Sequence, residues 1–281
     1  MRDYTLFDWA YPALLCPVCR ASLTRAGGTV KCAAGHCFDL SAKGTLNLSS
    51  AAGGNHGDDA GMIAARSRFL ATGSYAPLSD ALSGEIAQRL SVERPLLLDA
   101  GCGEGYYTAA VADRLPSSRL IALDISPEAV RECAKREQAR AGRLFPLVAG
   151  VYRLPLADAS VDGVISAFSP YAGEEFIRVL RPGGYLFRAI PDRRHLFALK
   201  EVLYDRPYEN EVADFEEEGF KFCGAKEIKT VFTLKTPSEI ADLFHMTPYC
   251  YRTPPAGKER LAALRSLTVG AEFLLLTYRR A

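Results

Sequence analysis

Five short apolar runs recur through the middle of the chain, at 96–98, 119–123, 145–149, 161–166 and 185–190, each bounded by turn-forming residues. Runs this short and continuous read as strands buried on both faces, as in a parallel sheet. Helical windows lie between them. One covers 106–115, one runs from a Ser126–Pro127 cap pair to about 140, and a short one spans 174–180. Arg181-Pro-Gly-Gly184 reads as a turn into the fifth run. Ahead of the first strand, 62–70 has helical character and 77–90 reads as an amphipathic helix. The tail from about 215 has room for a helix and two closing strands with cores at 231–234 and 273–278, joined by a loop and a short helix. Strands alternating with helices predict an α/β fold with a doubly wound sheet.

The first run ends in Asp99-Ala-Gly101-Cys-Gly103-Glu104-Gly105-Tyr106. Strand, glycine turn and helix in that order form a nucleotide-binding βα unit, because glycines let backbone amides approach a ligand. The second run ends in Asp124, 19 residues after Gly105. A carboxylate there typically accepts from ribose hydroxyls. Gly-x-Gly-x-Gly differs from the Gly-x-Gly-x-x-Gly of dinucleotide folds. The segment resembles the cofactor loop of class I (Rossmann-like) S-adenosylmethionine-dependent methyltransferases. That resemblance places Gly150 and Val151, after the third strand, beside the adenine. Tyr75 precedes a helix of the kind that closes over the cofactor in such folds.

An apolar content of 48%, a charged content of 24% and a net charge of +1 are those of an ordinary globular protein with no global basic footprint, so any RNA contact must come from local patches. No apolar run approaches the roughly 18 residues of a membrane span. The first ten residues hold two Asp and no apolar core, so the expected location is cytoplasmic and no membrane partner is implied.

Cysteine use changes the picture at the N-terminus. Cys16-Pro-Val-Cys19 is followed after twelve residues by Cys32, then by adjacent His36 and Cys37. Two close pairs a dozen residues apart suit a double knuckle around zinc, with Gly27-Gly28 as the hairpin turn. His36 and Cys37 compete for the fourth position. Reduced cysteines without metal are the alternative, but so short a segment has little apolar content to fold on. The expected organisation is a zinc-binding module at 1–50 for RNA docking, a linker at 51–62 containing His56, and a methyltransferase domain at 63–281. Arg20, Arg25, Lys31 and Lys43 supply local positive charge for phosphates.

Further pieces accompany these two motifs: His36-x-Phe38-Asp39, Ala42-Lys43-Gly44, Asn47-Leu48, Ala65-Arg66, Phe69-Leu70, Gly73-x-Tyr75-x-Pro77-Leu78, and Arg194-His195-Leu196 after the fifth strand. Together they resemble the RlmA family of ribosomal RNA methyltransferases over nearly the full chain. The resemblance implies methylation of N1 of a guanine in a hairpin of large-subunit (23S) RNA, with S-adenosyl-L-methionine as donor. It implies Zn²⁺ on Cys16, Cys19, Cys32 and His36, and donor contacts from Tyr75, Glu104, Gly105 and His195. Thr45, where the family often has Tyr, and the extra Cys37 depart from the pattern.

Guanine N1 carries a proton and lies on the pairing edge, so the base must be unpaired or flipped and the proton removed. The base pocket is expected at the ends of the fourth and fifth strands, with Phe168 or Tyr171 stacking and His195 as candidate general base. Two other functions fit the same residues: a small-molecule methyltransferase carrying a structural zinc module, and a non-catalytic RNA-binding protein that retains the donor pocket. Turnover of a small acceptor would mark the first; tight RNA binding without turnover, the second. A second copy of the chain is a further candidate partner.

Overall fold

A computed structural model describes residues 4–49, 57–212 and 214–281. The first half of the expected linker, His56 included, lies outside the described residues. Among them, no helix is long and apolar enough to cross a membrane.

The N-terminal stretch forms a three-stranded antiparallel ribbon: β1 (Leu23–Ala26), β2 (Thr29–Cys32) and β3 (Cys37–Asp39). Ala26 pairs with Thr29, so Gly27 and Gly28 make the two-residue turn. Gly27 has φ +64°, the left-handed geometry such turns require. The ribbon's flanks join the main body. Leu46 and Asn47 form β4 (Leu46–Asn47), an edge strand pairing in parallel with Leu147 and Val148. Phe7 and Tyr11 pack on Phe145 at 5.3 and 5.9 Å, and Trp9 Nε1 donates to the Gly142 carbonyl at 2.7 Å.

Two helices, α1 (Ala60–Ala71) and α2 (Ala76–Arg89), precede the sheet proper. Asp59 caps α1 by accepting from the Met62 amide at 2.9 Å. The chain then alternates through β5 (Leu96–Ala100), α3 (Tyr106–Arg114), β6 (Arg119–Asp124), α4 (Pro127–Cys133), α5 (Glu137–Arg140), β7 (Leu144–Val148), β8 (Val161–Ala167), α6 (Gly173–Val179), β9 (Leu180–Pro191) and α7 (Phe197–Leu203). It closes with β10 (Phe220–Leu234), α8 (Pro237–His245), α9 (Tyr249–Arg252), α10 (Pro255–Ala262) and β11 (Leu267–Arg280).

The strand order is β10-β11-β9-β8-β5-β6-β7-β4. All neighbours from β9 to β4 run parallel, while β11 is antiparallel to both β9 and β10. Strand succession reverses between β5 and β8, and ligands bind at the carboxyl ends beside such a switch point. Successive residues of the central strands enter opposite cores. Leu97, Leu120, Ile165 and Phe187 pack with α2 and α7; Leu98, Ile121, Val164 and Leu186 pack toward the N-terminal ribbon and α6. Burial on both faces explains the uninterrupted apolar runs.

Three local expectations are corrected. The single helix to about residue 140 breaks after Cys133, and the turn lets Arg136 Nε donate to the Glu104 carbonyl at 3.0 Å. The turn at 181–184 is absorbed into β9, with a register shift against β8 between Val161 and Gly163. The connection between the last two strands carries three helices.

Candidate functional site

The glycine loop leaves β5 as predicted. Gly101, Gly103 and Gly105 all have positive φ, at +89°, +56° and +78°. At Gly101 a Cβ would sit 2.4 Å from Ser169 Cβ, and at Gly105 one would sit 2.7 Å from Cys133 Sγ, so both space and backbone require glycine. The Gly103 amide donates to Asp124 Oδ2 at 2.9 Å and the Ser126 amide to Oδ1 at 2.8 Å. Each Asp124 oxygen thus keeps a lone pair for a ligand.

Three carboxyl groups converge on this loop, and burial raises the pKa of each. Asp99 is pushed up to about 7 although Thr108 Oγ1 donates to it at 2.5 Å; Glu104 and Asp124 also stand above the usual carboxylate range. Asp99 Oδ1 and Glu104 Oε2 are buried with no hydrogen-bond partner among the described residues. The guanidinium of Arg66, from α1, lies 3.9 Å from Glu104 Oε2 and also pairs with Asp58. Buried acceptors without partners cost free energy until a donor arrives. A ligand bearing an ammonium, a sulfonium and ribose hydroxyls suits these groups, so the loop fits S-adenosylmethionine.

Tyr75 and His195 meet above it. The Tyr75 hydroxyl and His195 Nε2 are 3.3 Å apart, and His195 Nδ1 is 2.9 Å from the Glu272 carbonyl on β11. A carbonyl only accepts, so Nδ1 holds the proton and Nε2 accepts from Tyr75. Burial lowers the His195 pKa to about 4, so the ring is neutral at pH 7. The expected role of general base meets a ring whose two nitrogens are both engaged. Phe168 packs against Tyr75, His195 and Phe273, yet is 42% exposed and has φ +57°. A bulky residue in that region is strained, and such strain gathers at ligand sites. Tyr171, the other stacking candidate, is engaged elsewhere: Arg188 lies 4.2 Å over its ring and Phe176 packs at 5.8 Å. Tyr106 begins α3, and Val151 is buried in the turn after Gly150.

At the ribbon, Cys16, Cys19, Cys32 and His36 place one ligand atom each within 4.8 Å of one another. Cys19 and Cys32 sulfurs are 3.7 Å apart, while His36 Nδ1 lies 3.6 Å from Cys16 Sγ and 3.3 Å from Cys32 Sγ. A tetrahedral zinc requires about 3.8 Å between sulfurs and about 3.6 Å between sulfur and nitrogen. The donor set and its spacing therefore fit zinc. Cys37 stands outside this cluster, exposed on β3 opposite Lys31. Of the four cations expected to meet phosphate, Lys31 and Lys43 are exposed. Arg20 instead donates to the Leu154 carbonyl, and Arg25 pairs with Asp8 at 2.6 Å.

Sequence reasoning gave Thr108 no role of its own and missed the Glu272 carbonyl and the placement of Arg66. Thr108 follows the last loop glycine by three residues, a signal within reach. The Glu272 contact depends on β11 pairing antiparallel to β9, which no local pattern encodes.

Comparison with known proteins agrees with this geometry. A family model described as "Methyltransferase domain" matches residues 97–184, and a zinc-ribbon model described as "RlmA, N-terminal" matches 14–49. A Micromonospora griseorubida protein assigned as a 23S rRNA (guanine-N(1)-)-methyltransferase is 38% identical over 95% of this chain and 97% of its own. The 23S rRNA (guanine(748)-N(1))-methyltransferase of Streptomyces fradiae is 34% identical over 68% of this chain and 67% of its own. A Bacillus subtilis (strain 168) protein assigned to the same activity is 31% identical over 90% of each chain. With a donor cradle and a Cys₃His ribbon in one molecule and relatives spanning nearly its full length, the chain belongs to the RlmA-type family of 23S rRNA (guanine-N1)-methyltransferases.

Proposed function

We propose that this protein transfers a methyl group from S-adenosylmethionine to N1 of a guanine in a hairpin of large-subunit ribosomal RNA, in the cytoplasm where that RNA resides. The observation that carries the reading is a donor cradle and a Cys₃His ribbon in a chain related over 95% of its length to a protein of that assignment.

Asp99, Gly101, Gly103, Glu104, Gly105, Tyr106, Asp124, Gly150, Val151, Tyr75 and His195 form the donor site in this proposal. Bound there, S-adenosylmethionine supplies a methyl group already activated by its sulfonium. The protein's part is alignment and exclusion of water. Asp124 orients the ribose through its two free lone pairs. Asp99 and Glu104 receive the positive end of the amino acid moiety. Tyr75 and His195 form the wall between donor and acceptor, with His195 as a positioning residue whose neutral Nε2 fixes the Tyr75 hydroxyl. Phe168 offers an exposed ring at the mouth for a flipped guanine, held by stacking. A zinc ion on Cys16, Cys19, Cys32 and His36 would have four protein ligands, so its part is to hold the ribbon's fold. Lys31 on the ribbon and Lys43 in the turn that follows it, both exposed, contact phosphates.

The test is methyl transfer from labelled donor to unmodified large-subunit RNA by zinc-loaded protein, with the product digested to nucleosides. Label in 1-methylguanosine supports the proposal. Label in another nucleoside, or in a small acceptor without RNA, overturns it.

A further inference from the structure

The ribbon is fastened to the loop that follows β7. The Leu15 amide donates to the Pro155 carbonyl and the Ala157 amide to the Ala13 carbonyl, both at 2.9 Å. Arg20, directly after the second knuckle cysteine, donates to the Leu154 carbonyl at 2.8 Å and to the Leu156 carbonyl at 3.3 Å. It does so from φ +60°, a left-handed conformation that costs a side-chain residue free energy. The knuckle turn itself closes through the Arg20 amide on the Cys16 carbonyl. A distortion of the zinc site therefore reaches 154–156 through this side chain and through the backbone bond of Leu15 beside Cys16.

Between knuckle and sheet lies a cavity of about 200 Å³. Pro17, Arg20 and Leu48 line it from the N-terminal side; Ile125, Gly150 and Tyr152 line it from the sheet. Ile125 is the residue after Asp124, and Gly150 opens the loop after β7. A Cβ on Gly150 would lie 3.6 Å from Ile125 Cδ1, so these two residues form a continuous floor. The lining thus includes Ile125, the neighbour of the proposed ribose ligand Asp124, and Gly150, which is itself assigned to the donor site above. The cavity's volume is below the ~300–1,000 Å³ of a whole small-molecule site and suits a single ring system.

We propose that the zinc ribbon closes the adenine end of the donor site, with Pro17 and Leu48 as the outer wall and Arg20 as the residue that positions it. This rests on the donor site as assigned above. Donor affinity then depends on an intact ribbon, and the ribbon serves the donor as well as the RNA.

The test uses full-length, zinc-loaded protein and S-adenosylhomocysteine, with no turnover required. Calorimetric titration of wild type and Arg20→Ala, with zinc content measured in both, should give about tenfold weaker binding in the variant at unchanged zinc. Tyr152, 71% exposed, can be removed without touching the core, and Tyr152→Ala should weaken binding about threefold. Hydrogen exchange on the wild type needs no variant: S-adenosylhomocysteine should protect amides at 16–21 as well as those of the glycine loop. If wild type binds no S-adenosylhomocysteine, the donor-site reading itself falls. If the glycine loop is protected while 16–21 exchange unchanged and both variants bind like wild type, only the present proposal falls.

Discussion

Acid should destabilise this protein through His195, by an amount the structure sets. The ring is 7% exposed and is held neutral between the Glu272 carbonyl and the Tyr75 hydroxyl. Burial brings its pKa down to about 4, from an ordinary value near 6.5. Above about 6.5 the residue is neutral in both folded and unfolded chains, and its stabilising effect is fully present. Below that the unfolded chain takes up a proton that the folded chain refuses, so stability falls as pH drops toward 4. The whole gap is worth about 3 kcal/mol, of which about 2 kcal/mol is lost between pH 7 and pH 5. His195→Gln does not titrate and keeps a polar group in the cavity. Urea midpoints of wild type and variant at both pH values give the difference directly. Carboxylate titration and zinc loss occur in both proteins and cancel. Wild type should lose about 2 kcal/mol more than the variant on acidification. An equal loss, or a His195 Cε1 resonance titrating near pH 6.5, would refute the argument from burial. It would also restore the ring as a candidate base, since a general base works best with a pKa near the operating pH.

Other outcomes follow from the same geometry. Cys19→Ser should reduce bound zinc below one per chain by elemental analysis, whereas Cys37→Ser should leave it unchanged, because Cys37 is outside the tetrahedron. Phe168→Ala should lower kcat/KM for RNA by about 5- to 150-fold, the ~1–3 kcal/mol of a base–aromatic stack, with S-adenosylhomocysteine affinity held within about twofold; parallel losses in both would place the ring in the donor site instead. Gly101→Ala sets a Cβ 2.4 Å from Ser169 Cβ at φ +89° and should abolish measurable donor binding by calorimetry, with a loss of ~1–3 kcal/mol in stability. Asp99, raised to about 7, costs stability as pH climbs from about 4 through 7; Asp99→Asn should stabilise the protein by ~2–4 kcal/mol at pH 8 in thermal melts while weakening donor binding.

The parallel strands were legible because burial on both faces leaves continuous apolar runs. The edges were not. β10 carries exposed Lys221, Lys226, Glu227 and Lys229, charges that blunt an edge strand against aggregation and also hide its period, so only its last four residues stood out. The zinc ligands could be read to within one residue. Spacing left His36 and Cys37 competing, and the choice lies in geometry: β3 begins at Cys37, and pairing it opposite Lys31 leaves the preceding His36 facing the knuckle. The two arginines of the ribbon show the limit of counting charge. Arg20 and Arg25 look like Lys31 and Lys43 in a sequence, but each has a partner more than a dozen residues away. Arg66 was visible as a helical cation, but its place beside Glu104 depends on how α1 crosses the glycine loop.

The site's electrostatics bear on how the proposed reaction proceeds. Guanine N1 is a weak acid, and an enzyme can either remove its proton with a strong base or stabilise the charge that develops on O6. Among the described residues around Phe168, no group has the character of a strong free base. His195 is depressed to about 4 with both nitrogens engaged, and Asp99, bonded to Thr108 through Oδ2, keeps its unpartnered Oδ1 for the donor in the proposal above. Arg193 and Arg194, which follow β9 directly before His195, are exposed cations, and Arg194 pairs with Glu209 at 3.0 Å. A donor bound over three buried carboxyl groups, as proposed, has a second effect. Those groups favour the cationic sulfonium in the ground state, which taken alone would slow a reaction that neutralises it. Rate must then come from a fixed donor-to-acceptor line, and a wall of Tyr75, His195 and Phe273 with ring centroids 4.8 to 6.1 Å apart provides the rigidity for it. On this argument, loosening that wall should lower kcat more than it raises the KM for the donor.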